Sequence, residues 1–179
     1  MTAAARIAVE RRGEDTLIAE LASRAPVGLR PLPPLGALAR VALVQTSACL
    51  VSGDDVAMDV RVGRGASLEV IELSATLAHP VPADRPPIRQ VVRVDVSAGG
   101  QLLWLAQPLV LASRTRMDRR LDVATAAGSR ALLGETVVFG RDGEPTRRRD
   151  HATADHARRP RRQWTTPSRP RTEPSCALP

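Results

Sequence analysis

Three stretches, Asp59–Val70 (DVRVGRGASLEV), Asp95–Leu105 (DVSAGGQLLWL) and Asp122–Leu133 (DVATAAGSRALL), read as one short piece of β structure written three times. Each runs an alternating strand into a glycine (Gly65, Gly99, Gly128) and resumes an apolar strand two or three residues later. The glycines stand 34 and 29 residues apart, a period at which each unit adds paired strands to a stack. Side chains of a strand switch faces at every residue, so Val56, Met58, Val60 and Val62 share one face. Val92, Val94 and Val96 repeat the pattern, followed by Leu102 and Trp104. Leu121 and Val123 repeat it again, followed by Ala131–Leu133 and Thr136–Phe139. The pattern predicts an all-β chain.

Outside the repeat the reading is less regular. Arg6–Val9 is expected to be a short strand. Asp15–Ser23 is expected to make one or two helical turns burying Leu17, Ile18 and Leu21. Pro26 through Gly36 is expected to be a connector without regular hydrogen bonding, because Pro31, Pro33 and Pro34 lack the donor. Val41–Gln45 and Leu109–Ala112 read as strands, and Pro80–Pro87 as a loop.

The chain of 179 residues suits one domain with a tail. Only Trp104, Trp164 and Phe139 are aromatic, so the core is aliphatic and base stacking has almost nothing to work with. The net charge of +7 is concentrated in the tail. Residues 147–179 hold nine arginines against Asp150, Asp155 and Glu173, whereas residues 1–146 hold 17 arginines against 16 acids. A nearly neutral body argues against a nucleic-acid groove. Lysine is absent, a bias that weakens the reading of any single arginine.

We therefore divide the chain into a β domain, 1–145, and an Arg/Pro-rich tail, 146–179, expected to be disordered. The tail is read either as a basic partner-binding extension or as the product of a shifted reading frame. Met1–Arg12 lacks the apolar stretch of a signal peptide, and no apolar run reaches membrane-spanning length. No membrane role is expected, and the expected compartment is the cytoplasm.

No catalytic constellation is evident. His79 beside Pro80 reads as a surface residue. The Asp150-His151 and Asp155-His156 pairs lack a metal-site spacing. Cys49 reads as a small buried hydrophobe, and with Cys176 it makes no disulfide framework. Gly53-Asp54-Asp55 reads as a turn that could face a partner. Glu135 and the run Gly140-Arg141-Asp142-Gly143-Glu144 form a polar region around a tight turn after Phe139.

These residues fall in an order that resembles the urease accessory protein family UreD, also called UreH. The matching segments begin with Leu29-Arg30-Pro31-Leu32 and Thr46 through Asp54, which ends in the family's Gly-Asp. Val62-Gly63-Arg64-Gly65-Ala66, Ser74 through Ala78, and Gly100 through Pro108 follow. Glu135 with Gly140-Arg141-Asp142-Gly143-Glu144 completes the order, which covers roughly residues 6–145. The resemblance implies a two-layer, helically stacked β-sheet scaffold with few short helices. It implies a non-enzymatic chaperone that joins UreF, UreG and the urease apoprotein to deliver nickel, with GTP hydrolysis performed by UreG. Nickel is then a transient cargo, with no cofactor tightly bound and no dedicated metal cluster. Gly53, Asp54, Asp55, Glu135, Arg141 and Glu144 become the partner-facing or conduit-facing candidates. The other reading kept open is a basic-tailed β module, unrelated to urease, that binds nucleic acid or protein.

Overall fold

The computed structural model describes residues 4–141, Gly143 and residues 153–155. It is all β, with no helix among the described residues. Two antiparallel hairpins come first: β1 (Ala5–Arg12) with β2 (Asp15–Ala22), and β3 (Val27–Leu35) with β4 (Leu38–Gln45). Three successive coils follow. The first is β5 (Asp55–Val62), β6 (Ser67–Glu72) and β7 (Thr76–Ala78). The second is β8 (Ile88–Val96), β9 (Gln101–Leu105) and β10 (Leu109–Leu111). The third is β11 (Met117–Thr125), β12 (Arg130–Gly134) and β13 (Val137–Phe139).

Each coil gives one strand to each of three sheets, and strands of successive coils pair in parallel. Two large sheets are joined by a narrow third one. In the largest, β1 pairs with β5, while β14 (Thr153–Asp155) pairs with β11 at the far side. The remainder of 146–179, with the disorder expected for it, lies outside the described residues.

The repeat seen in the sequence is the wall–corner–wall unit. Gly65, Gly99 and Gly128 have φ of 65°, 69° and 72°, the left-handed backbone needed at the third position of a type II turn. Each turn closes with a backbone bond: Ala66 N to Gly63 O, Gly100 N to Ser97 O, Ser129 N to Ala126 O. Register then stacks like on like. Met58, Val60 and Val62 face Val92, Val94 and Val96 across one ladder. Leu68 and Val70 face Leu102 and Trp104 across another. All ten are buried, giving an apolar interior in which Thr16 and Thr115 are the buried polar residues described. Thr16 Oγ1 accepts from Ser67 N at 3.0 Å. The Thr115 hydroxyl lies among the carbonyls of Ala112, Ala78 and His79, so neither group is stranded.

Two expectations are corrected. Asp15–Ser23 does not turn into a helix; its residues Asp15–Ala22 form β2. The register against β1 shifts between Ala8 and Val9, so that Ile18 faces Val9 and Leu21 faces Ile7. This bulge puts residues three apart on the same side, and that spacing imitated a helical stripe. Leu17, expected inside, is 45% exposed. Pro26–Gly36 is likewise not an unpaired connector, because Val27–Leu35 form the edge strand β3. An edge strand bonds on one side only, which lets it carry prolines. Its ladder breaks between Leu32 and Leu35, where Pro33 and Pro34 sit. The Pro80–Pro87 segment is a loop as expected, held by Arg116 Nη1 donating to the carbonyls of Pro82, Ala83 and Arg85.

Candidate functional site

Polar residues enter the interior on all three coils, at Glu72 of β6, Gln90 of β8 and Arg119 of β11. The inward phase of β8 reads Ile88, Gln90, Val92, and that of β11 reads Met117, Arg119, Leu121. Gln90 and Arg119 are paired in register, with Val56 the partner of Gln90 in the first coil. On the facing sheet the phase Leu68, Val70 ends at Glu72. Thus one row of the interior changes from Val56 through Gln90 to Arg119.

The side chains of this row bond to one another. Arg119 donates through Nη1 to Gln90 Oε1 and through Nη2 to Glu135 Oε1. The Arg119 and Glu135 side chains are only 18% and 21% exposed. Arg119 Nε is buried without a hydrogen-bond partner. Glu72 accepts from Trp104 Nε1 at 2.9 Å and from Gln107 N at 3.0 Å. Burial pushes the Glu72 carboxyl above its ordinary value of 4.5. The two hydrogen bonds and the Arg119 charge oppose that rise, and the Glu135 charge adds to it. A cavity of about 610 Å³ opens here, with Trp104, Leu121, Leu133 and Val137 as apolar walls and Arg119 and Glu135 as polar ones.

Of the residues singled out in sequence, Glu135 alone joins this cluster. Gly53 (φ 83°) and Asp54 form a separate turn. Asp54 Oδ2 accepts from Val51 N at 2.8 Å, and its carbonyl accepts from Arg89 N. Ser52 Oγ ties the turn to the Pro86 carbonyl at 2.9 Å. Asp55 opens β5 opposite Arg89 and is exposed. Arg141 is exposed beyond β13, and Glu144 lies outside the described residues. Sequence reading missed Glu72, Gln90, Arg119 and Trp104 as a group. The available signal was a polar residue at an apolar position of an alternating strand.

The outer faces of the two large sheets differ in charge. On the largest sheet, Arg6, Asp59, Arg93 and Asp122 lie side by side in register, and Arg61 pairs with Asp95. Opposite charges thus alternate across strands, with an Arg93–Asp59 contact of 3.3 Å and Arg6 on Glu20 at 2.6 Å. Such a face offers no one-signed track for phosphate. The second large sheet begins with the Arg40–Glu69 pair at 2.7 Å and becomes apolar along the second and third coils, where Leu105 and Leu132 are 56% and 59% exposed. Among the described residues no group of three or more His, Cys, Asp or Glu could hold a metal ion. Cys49 is half-buried, and no described helix is long and apolar enough to cross a membrane.

The family model described as UreD urease accessory protein matches residues 1–164. The chain belongs to this family. It is 40% identical over 139 residues to the urease accessory protein UreD 1 of Streptomyces griseus, covering 77% of this chain and 54% of that protein. UreD 3 of the same organism is 38% identical over 164 residues, covering 88% and 63%. UreD of Rhodopseudomonas palustris is 36% identical over 112 residues, covering 62% and 39%. The chain therefore spans less than two thirds of the length of these curated relatives. Family membership makes it a urease accessory protein by kind, and the resemblance read from Leu29 through Glu144 pointed to the same family.

Proposed function

We propose that the chain is a urease maturation chaperone that scaffolds nickel insertion into the urease apoprotein together with UreF and UreG. The observation that carries this reading is the UreD match across residues 1–164. The form of the molecule supports it: a stack of rigid walls whose exposed apolar side chains, Leu105, Leu132, Val138 and Phe139, suit protein contact better than substrate binding. Nickel is cargo in this reading.

The buried core described from β1 to β10 is apolar, so ion handling falls to the polar cluster, where Glu135 of the third coil lines the cavity and Glu72, on β6 of the first coil, lies within range of its charge. The Arg119 guanidinium between Gln90 and Glu135 opposes static chelation of a divalent cation, which favours brief residence over storage. Gly53, Asp54 and Asp55, fixed to the loop at Pro86, and Glu135, Arg141 and Glu144 take the partner-facing or conduit-facing roles. Cytoplasmic residence follows from the proposed partners. Co-purification of the tagged chain with urease apoprotein and UreF is the test. Retention of both, lost in the presence of competing untagged chain, is expected; a soluble chain that retains neither overturns the proposal.

A further inference from the structure

The connection from β7 to β8, residues 79–87, contains Pro80, Pro82, Pro86 and Pro87. A proline has no N–H to donate, so carbonyl oxygens carry much of this loop's attachment. Three of them converge on one nitrogen. Arg116 Nη1 donates to the carbonyls of Pro82 at 3.1 Å, Ala83 at 2.9 Å and Arg85 at 3.0 Å. Residues 82–86 are exposed, and a cavity of about 770 Å³ is lined both by Pro82 and Ala83 and by Arg114 and Asp118. Charge-assisted bonds from the guanidinium, more than apolar packing, therefore brace this stretch. The base that carries Arg116 is itself fixed. Its neighbour Thr115 is 7% exposed, with the hydroxyl among three carbonyls.

The far end of the loop is tied to the preceding connection, 46–54. Ser52 Oγ donates to the Pro86 carbonyl at 2.9 Å, and a Cβ placed on Gly53 would lie 3.5 Å from Pro86 Cγ. The turn held there is closed on itself. Asp54 N donates to Val51 O at 3.1 Å, and Val51 N donates to Asp54 Oδ2 at 2.8 Å. One line of contacts thus runs from Arg116 through the carbonyls of 82–86 to Ser52, Gly53 and Asp54, crossing three successive connections.

We infer that Arg116 is a positioning residue for the Gly53–Asp55 turn, setting its presentation to the urease apoprotein and UreF. The inference rests on the partner-facing role given to that turn under the proposed function. A turn held in one conformation has less freedom to lose when a partner binds, so bracing at Arg116 strengthens association without contact. Arginine suits the task because its guanidinium stays charged and directs several donors from a planar head.

The test uses the full chain with the urease apoprotein and UreF. Arg116→Ala should speed hydrogen exchange at the Val51 and Asp54 amides about tenfold, with the amides of β5 and β8 unchanged. Retention of both partners should fall by about the same factor. Arg116→Lys, whose ammonium has three donors, should recover much of both effects. Arg85→Ala removes the same charge from the loop but leaves its carbonyl in place, and should change neither. If Arg116→Ala does not fold, Arg116→Lys and Ser52→Ala decide. The Ser52 variant cuts the line at its second link, and faster exchange at Val51 and Asp54 is expected from it. Unchanged exchange at those amides, or faster exchange throughout β5 and β8, overturns the inference. So does full retention of partners by Arg116→Ala, or an equal loss in Arg85→Ala. A parent chain that retains neither partner sinks the proposed function instead, while the exchange data still decide whether Arg116 holds the turn.

Discussion

The first and third coils have the same plan and opposite degrees of cover. In the first, Val56, Met58, Val60, Val62, Leu68 and Val70 are each at most 4% exposed, with a hairpin strand on one side and the second coil on the other. In the third, Leu121, Val123 and Leu133 occupy equivalent inward positions and are only half-buried, while Leu132 and Phe139 are 59% and 50% exposed. Alternation thus sets which side chains face inward, and a full-length strand on each side brings the apolar ones among them to near-complete burial. The polar cluster Gln90, Arg119 and Glu135 begins where that cover thins. Water reaching the cavity lowers the cost of a charged group there.

The largest expected effect lies in the covered coil. Leu68→Ala should cost roughly 2–5 kcal/mol, since a fully buried leucine leaves both lost transfer energy and a cavity. Leu133→Ala, in the corresponding sheet of the third coil, should cost only on the order of 1 kcal/mol, because less area leaves water there on folding. Urea unfolding of the two variants checks the pair. Equal losses would mean that the third coil is as well covered as the first, and the contrast between them would vanish.

An intermediate effect is expected at Glu72, where the two regimes meet. Burial raises its folded-state proton affinity above that of the unfolded chain. Its contribution to stability is therefore fully present at acid pH and lost as pH rises through the raised value. Glu72→Gln keeps an acceptor for Trp104 Nε1 and removes the charge. Relative to the parent, the variant should gain stability between about pH 4 and about pH 7, as read from urea midpoints at both. An offset that does not change with pH would show that Glu72 titrates as it does in the unfolded chain.

The smallest effect belongs to the charged outer face. Asp59→Ala removes one partner of Arg93, whose side chain is 58% exposed, and should cost roughly 0.2–1 kcal/mol, shrinking with added salt. Double-mutant cycles with Arg93→Ala measure the coupling. A loss of several kcal/mol would mean that this face is desolvated by something that covers it.

The three repeated stretches made the walls legible because period-2 alternation and a left-handed glycine each report a backbone requirement directly. Ile18 and Leu21 misled because a bulge in a strand and a turn of helix produce the same spacing of three. Pro31, Pro33 and Pro34 misled because the sequence does not say which strand is an edge. The candidate site was legible only at Glu135, which stood out beside a turn. Glu72, Gln90 and Arg119 lie on three strands separated by whole coils, and no local pattern brings them together. Their signature was individual: a polar side chain in the inward phase, at Glu72 after Leu68 and Val70 and at Arg119 before Leu121.

The corner after each first wall always takes four residues, 63–66, 97–100 and 126–129, whereas the connection back to the largest sheet takes nine at 79–87 and five at 112–116. Most of the change in repeat spacing is absorbed at that one vertex. Length variation between relatives has a natural outlet there, since chain added at 79–87 leaves the in–out phase of every wall intact. A single residue added inside a wall would invert that phase for the rest of the strand, so the geometry tolerates extra chain at one corner and not along the sides.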